Sequence, residues 1–166
     1  LKKEGLHGST NPMLRFKGAI TMMITVTFLI YHFLLAPRAF SMNSDYNFWA
    51  PANLLVHYFT PLMVILDWLI FDKKNAYRPY DPLLWLAIPL LYLIFILIRA
   101  QLGGPITAAG SYYPYFFLDV DVLSWIGVLK WVLLIAVFFA LLGYIIYFID
   151  KITFSNGRFH FGHSSE

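Results

Sequence analysis

The strongest constraint in this sequence is a set of four apolar stretches, at 18–36, 52–71, 83–99 and 122–149, separated by short polar segments. A helix rises ~1.5 Å per residue, so crossing a ~30 Å hydrocarbon core takes roughly 17–25 mainly apolar residues. Each stretch falls near or above that range. Of the 166 residues, 60% are apolar and 13% are charged, whereas a soluble domain has roughly half and a quarter. Such a chain lacks the polar residues to cover a wet surface. The reading is an all-α, polytopic transmembrane helix bundle with four spans, and a water-soluble fold is excluded.

Prolines punctuate the spans. Pro37 is expected to end the first, Pro51 to occupy the first turn of the second, and Pro82 to precede the third. Pro61 and Pro89 fall inside the second and third, where they predict kinks. The expected organisation is a cytoplasmic segment at 1–17, the bundle at 18–149 and a cytoplasmic polar tail at 150–166. The chain opens Leu1-Lys2-Lys3 and is read as carrying no cleavable signal, with a cut N-terminal boundary and further helices expected upstream.

Charge sets the orientation. Lys2, Lys3, Arg15, Lys17, Lys73, Lys74, Arg78, Lys151 and Arg158 fall on one side of the spans, and only Arg38 and Arg99 on the other. That asymmetry predicts a cell-membrane protein with both ends of this chain cytoplasmic. The net charge of +3 reflects this bias, and no basic run is long enough for a nucleic-acid patch. With no cysteine, thiol nucleophiles, disulfides and cysteine metal sites are excluded.

Ionisable groups inside a span are costly and point to partners or to function. In the second span Asn53, His57, Thr60, Val64 and Asp67 recur at intervals of three and four residues, on one helical face. Thr21, Thr25, Phe28 and His32 repeat the pattern in the first span. His32, His57, Arg99 and Lys130 are placed toward the outer leaflet, where Asp119 or Asp121 is available to pair with Arg99 or Lys130. Asp67 lies near the inner end, beside Lys73, Lys74 and Arg78. Plainer readings stand next to these: polar bonding between helices for the histidines, snorkelling for Arg99 and Lys130, an interfacial anchor for Asp67 and Trp68, and an aromatic belt for Tyr115 and its neighbours. Two histidines without an acidic third ligand do not make a metal site, so no metal or cofactor is expected.

The stretches GAITMMITVTFLIYHFLLAP, LLVHYFTPLMVILDWLIFDKK and IPLLYLIFILIRAQLGG, followed by YYPYFFLDV, resemble the Pr-six-Pr family of bacterial membrane proteins. The resemblance runs from about Lys17 to Ile149. Its motifs are His57, Pro61, Asp67 and Trp68, spaced H-x-x-x-P-x-x-x-x-x-D-W, and YPY followed by FLD. It implies six helices and no assigned activity, with two further helices upstream. The His57–Pro61 element is also similar to one in the androgen-induced, FAR-type membrane proteins, which hydrolyse fatty-acid esters with an intramembrane threonine and histidine. That likeness implies a catalytic role for His57.

The functional expectation is an intramembrane lipid or fatty-acid-ester hydrolase, or a lipid-binding protein. His57 is the expected base, Asn53 its orienting partner or an oxyanion donor, and Thr60 a candidate hydroxyl. Arg99, His32, Tyr115 and Asp119 are expected to hold the substrate, with Asp67, Trp68 and Lys130 as structural polar groups. Expected partners are membrane lipids, a lipid substrate, and either a larger membrane complex or a second copy of the chain. A transporter or channel subunit and a structural subunit are the rival readings.

Overall fold

The computed structural model describes residues 12–42, 46–107 and 110–158. The fold is all-α, with no strand among the described residues, and four helices are long and apolar enough to cross a membrane: Pro12–Ser41, Pro51–Phe71, Asp81–Leu102 and Val120–Ile152. Every expected span is present, and each extends beyond its expected start. The first is extended most. It begins at Pro12, within the segment 1–17 read as lying outside the bundle, because Arg15 and Lys17 find carboxylate partners that let the helix continue.

Pro37 does not end the first span, contrary to expectation. The chain runs as α1 (Pro12–Ile30), a π-turn (Tyr31–Leu35) and α2 (Ala36–Met42). The Ala36 N–H reaches back five residues to the Tyr31 carbonyl. The second span is built the same way: α3 (Pro51–Leu54), a π-turn (Leu55–Phe59) and α4 (Thr60–Phe71), with the Thr60 N–H on the Leu55 carbonyl. A helical proline lacks its own N–H and crowds the carbonyl four residues back. In both spans the residue just before the proline closes a widened turn, which gives the ring room and keeps the helix going. Pro89 is accommodated differently. The third span breaks at Leu86 between α5 (Asp81–Trp85) and α6 (Ala87–Leu102), which puts Pro89 in the first turn of α6.

The chain forms two compact units, Leu1–Asp81 with Tyr144–Glu166, and Pro82–Gly143. In the first unit α1 packs on α4. Ala19, Met22 and Val26, one to two turns apart on α1, are buried, as are Pro61 and Trp68 on α4. The outward face of the second span, with Leu55, Val56, Phe59, Leu62, Met63 and Ile70, is exposed. Only 11% of that span's most apolar window is buried, an apolar surface suited to lipid and not to water.

In the second unit a loop after α6 leads through a 3₁₀ turn (Phe116–Leu118) into α7 (Val120–Arg158). Asp119 caps α7: its Oδ1 accepts from the N–H groups of Asp121 at 3.1 Å and Val122 at 3.2 Å. Its Oδ2 accepts from the Ser111 hydroxyl at 2.7 Å. One turn on, Ser124 has φ 60° and ψ 167°, a kink within α7 in a region almost reserved for glycine. Such a residue costs ~1–3 kcal/mol.

Candidate functional site

The first unit carries two polar clusters at opposite ends of α1. Arg15 and Tyr31 are separated by sixteen residues, which is ~24 Å of helix.

At one end the two π-turns face each other through reciprocal histidine–tyrosine pairs. The His57 ring stacks on Tyr31, with centroids 3.8 Å apart and planes 12° from parallel. His32 Nδ1 lies 2.9 Å from the Tyr58 hydroxyl. Each turn thus contributes one histidine and one tyrosine, and each histidine meets the tyrosine of the other turn. Phe28 and Phe48 meet the Tyr58 ring edge-on, both at 5.4 Å between centroids.

The hydrogen bonds of Asn53 determine the tautomer of His57. Asn53 Nδ2 donates to the Phe48 carbonyl at 2.8 Å, so Oδ1 is the end that faces the ring. His57 Nδ1 then lies 3.0 Å from that Oδ1 and 3.2 Å from the Asn53 backbone carbonyl. Both are acceptors only, so Nδ1 carries the proton and donates. In the neutral ring Nε2 then keeps its lone pair. The network continues outward: the Tyr46 hydroxyl donates to Asn53 Oδ1 at 3.5 Å and is bonded to the Tyr31 hydroxyl. Burial first, and the hydrogen bond to Tyr31 second, push the Tyr46 phenol up to about 12.

Thr60 is not part of this arrangement. Continuous 3.6-residue periodicity puts it beside His57, but the π-turn between them inserts extra rotation. In α4 it is Pro61 and Trp68 that face inward, and Thr60 is exposed. Tyr31, Tyr46 and Tyr58 belong to the cluster and were not singled out from the sequence. The available signal was a tyrosine–histidine pair lying five to six residues ahead of a proline in YHFLLAP, with its counterpart three to four residues ahead in HYFTP.

At the other end lies a charged cluster. Asp81, 1% exposed, takes Arg15 Nε on both oxygens at 3.0 and 2.8 Å, a further bond from Arg15 Nη2, and the Arg78 backbone N–H at 2.8 Å. Lys17 Nζ bridges Asp67 at 2.6 Å and Asp72 at 2.5 Å. Asp67 was expected beside Lys73, Lys74 and Arg78; its partner is Lys17, one helix away and fifty residues back in the chain. Lys74 instead donates to the Trp68 carbonyl at 2.5 Å and lies 4.5 Å from the Trp68 ring centre. Burial lowers the Lys74 ammonium from the ordinary lysine range. Asp150 of α7, fully buried, accepts the Tyr77 N–H at 3.3 Å through Oδ2, while its carbonyl accepts the Asn75 N–H at 3.2 Å. Burial, followed by the charge of Asp150, raises the Tyr77 phenol. The loop 72–80 is therefore clamped by two buried carboxylates.

The remaining candidates belong to the second unit. Arg99 Nη1 donates to the carbonyls of Gly104 at 2.6 Å and Tyr112 at 3.5 Å, closing its own loop. Asp119 is occupied as the helix cap and bonds neither Arg99 nor Lys130, correcting that expected pairing. Tyr115 stacks on Phe117 with centroids 5.2 Å apart. Lys130 is exposed on α7. Among the described residues no group of three or more His, Cys, Asp or Glu could hold a metal ion.

No family model, curated protein or solved structure matches this chain.

Proposed function

We propose that this chain is part of a membrane-embedded lipid-ester hydrolase, with His57 as general base and both ends of the chain on the cytoplasmic side. The observation that carries this reading is the His57–Asn53 pair. An imidazole held by a donated Nδ1–H keeps Nε2 ready to take a proton, and a third group fixing the base is the usual arrangement for activating a hydroxyl or water. Two adjoining π-turns add support, since such turns gather at functional sites. The apolar surround suits an acyl chain and strengthens each polar contact inside it.

In this mechanism His57 Nε2 removes a proton from water as the oxygen attacks the ester carbonyl. The imidazolium then returns that proton to the departing alkoxide. Asn53 acts as a positioning residue, holding the tautomer through its Oδ1. Among the described residues no serine or threonine hydroxyl is bonded to His57, which is why water is assigned as the nucleophile and Thr60 is not. The resemblance to the Pr-six-Pr and FAR-type proteins belongs to this same proposal.

Purified protein in nanodiscs, assayed on a long-chain fatty-acid ester, tests it. His57→Ala is expected to lower cleavage by about 10²–10⁴-fold, the usual worth of a general base, with helix content unchanged. Undiminished cleavage in that variant would end the hydrolase reading.

A transport reading has one observation of its own. Thr21, midway between the two polar clusters, is 1% exposed, and its hydroxyl has no hydrogen-bond partner among the described residues. With Lys17 and Thr25 it extends polar groups along the depth of α1. Gradient-driven flux in proteoliposomes, lost on Thr21→Val, would favour transport over hydrolysis.

A further inference from the structure

The charged end of the first unit has more cation than it uses. Its described residues include six cations, Arg15, Lys17, Lys73, Lys74, Arg78 and Lys151, against four carboxylates, Asp67, Asp72, Asp81 and Asp150. One of the cations that no carboxylate pairs, Arg78, lies beside Tyr80. The Arg15 guanidinium carbon lies 5.5 Å from the Tyr80 ring centre, and that of Arg78 lies 5.8 Å from it. Two guanidiniums thus flank one phenol ring, yet only Arg15 is paired with a carboxylate, Asp81. Arg78 uses Nη1 on the Tyr80 hydroxyl. Its Nη2 and Nε have no partner among the described residues, while Arg15 also has a side-chain hydrogen bond to Tyr80. Tyr80 is 45% exposed, so the ring and its free donors are accessible.

This arrangement has the recognition chemistry of a phosphate group. Planar guanidinium forks match phosphate oxygens, and a phenol hydroxyl that already accepts a bond still has its own proton to donate. The surroundings indicate where the phosphate comes from. Met13 and Phe16, on the same helix as Arg15, are 71% and 58% exposed, and Phe71, where α4 ends, is 76% exposed. Exposed apolar side chains beside unpaired cations at the ends of spanning helices mark the level of lipid head groups.

We infer that Arg78, Arg15 and Tyr80 form a binding site for the phosphate of an anionic phospholipid at the charged rim of this chain. The site is independent of the His57 chemistry and lies at the opposite end of α1. Asp81 holds Arg15 in place from below, and its bond to the Arg78 backbone fixes the loop. The clamp therefore presents both guanidiniums without neutralising the second.

The test is native mass spectrometry of the full chain released from nanodiscs of phosphatidylcholine with a minor fraction of phosphatidylglycerol. Retained phosphatidylglycerol is expected at about fivefold over its bulk share, the effect of one well-placed cation at a membrane surface. Arg78→Gln should return that ratio to the bulk value, and Arg78→Lys should keep part of it, because the charge survives without the fork. Lys130→Gln, on the second unit, should change nothing. Thermal unfolding in phosphatidylcholine alone confirms that each variant is folded, and Arg78→Lys carries the comparison if Arg78→Gln is not. Equal enrichment in wild type and Arg78→Gln overturns the site. Stabilisation by inorganic phosphate, dependent on Arg78 and without enrichment of phosphatidylglycerol, overturns the lipid and assigns the site to a soluble phosphate.

Discussion

The two ends of α1 handle polar groups in opposite ways. At the charged end two buried carboxylates are bonded to the fold: Asp81 to Arg15 and to a loop N–H, Asp150 to the Tyr77 amide. At the aromatic end the histidines are held by one nitrogen each, and His57 keeps Nε2 free of any protein bond among the described residues. A paired or amide-bonded carboxylate builds structure, because a buried charge without its partner is expensive. A restrained group with one free lone pair is suited to chemistry. On the proposed hydrolase reading, the charged end supports the fold and the aromatic end engages the substrate.

The largest test of this contrast is Arg15→Met. It strips the buried Asp81 of its only cationic partner among the described residues, and it should lower stability by about 2 kcal/mol, given that Arg15 is itself partly exposed. Chemical denaturation in mild detergent reads this directly. A loss within ±0.5 kcal/mol, as for an ordinary surface change, would mean that the pair does not hold the loop. Asn53→Leu should act the other way round. Ester turnover is expected to fall about tenfold, as for loss of a group that orients a catalytic imidazole, with a shift of the His57 tautomer visible in nitrogen NMR. If turnover falls with no tautomer change, Asn53 is not a positioning residue.

The smallest effect concerns Tyr46. Its phenol is raised from 10.0 to about 12, so the folded state favours the protonated form. The associated stability is present below pH 10 and is lost as pH rises from 10 toward 12. Ultraviolet titration of tyrosinate should find one late-ionising phenol that returns to the ordinary range in Tyr46→Phe. An unchanged titration curve would remove Tyr46 from the network.

Hydropathy and span length made the helices legible in the sequence, because lipid demands a long apolar run whatever the neighbours are. The inward position of Asn53 and His57 was legible for the same reason, since four-residue spacing survives within a single turn. Thr60 was misplaced because the periodicity was carried across a π-turn, and no hydropathy pattern records a change in hydrogen-bond register. Pro37 was misread for the matching reason: a wide turn just before a proline removes the clash that would have ended the helix. The capping role of Asp119 was within reach, as an aspartate directly ahead of an apolar helix. The pairs Arg15–Asp81 and Tyr77–Asp150 were not, since sixty-six and seventy-three residues separate their members and a single sequence carries no sign of such long-range partners.

The clamp on the loop 72–80 also has a consequence for biosynthesis. Asp150 is synthesised seventy-three residues after the Tyr77 amide that it binds, a delay of roughly 4–15 s at 5–20 residues per second. Two spans of this chain precede the loop, and the third is made while the loop still lacks one of its two anchors. Arrival of α7 closes it, so a nascent chain stalled before Asp150 is expected to lose the Tyr77 anchor and to be cut in the loop 72–80 by limited proteolysis more readily than a chain that includes Asp150.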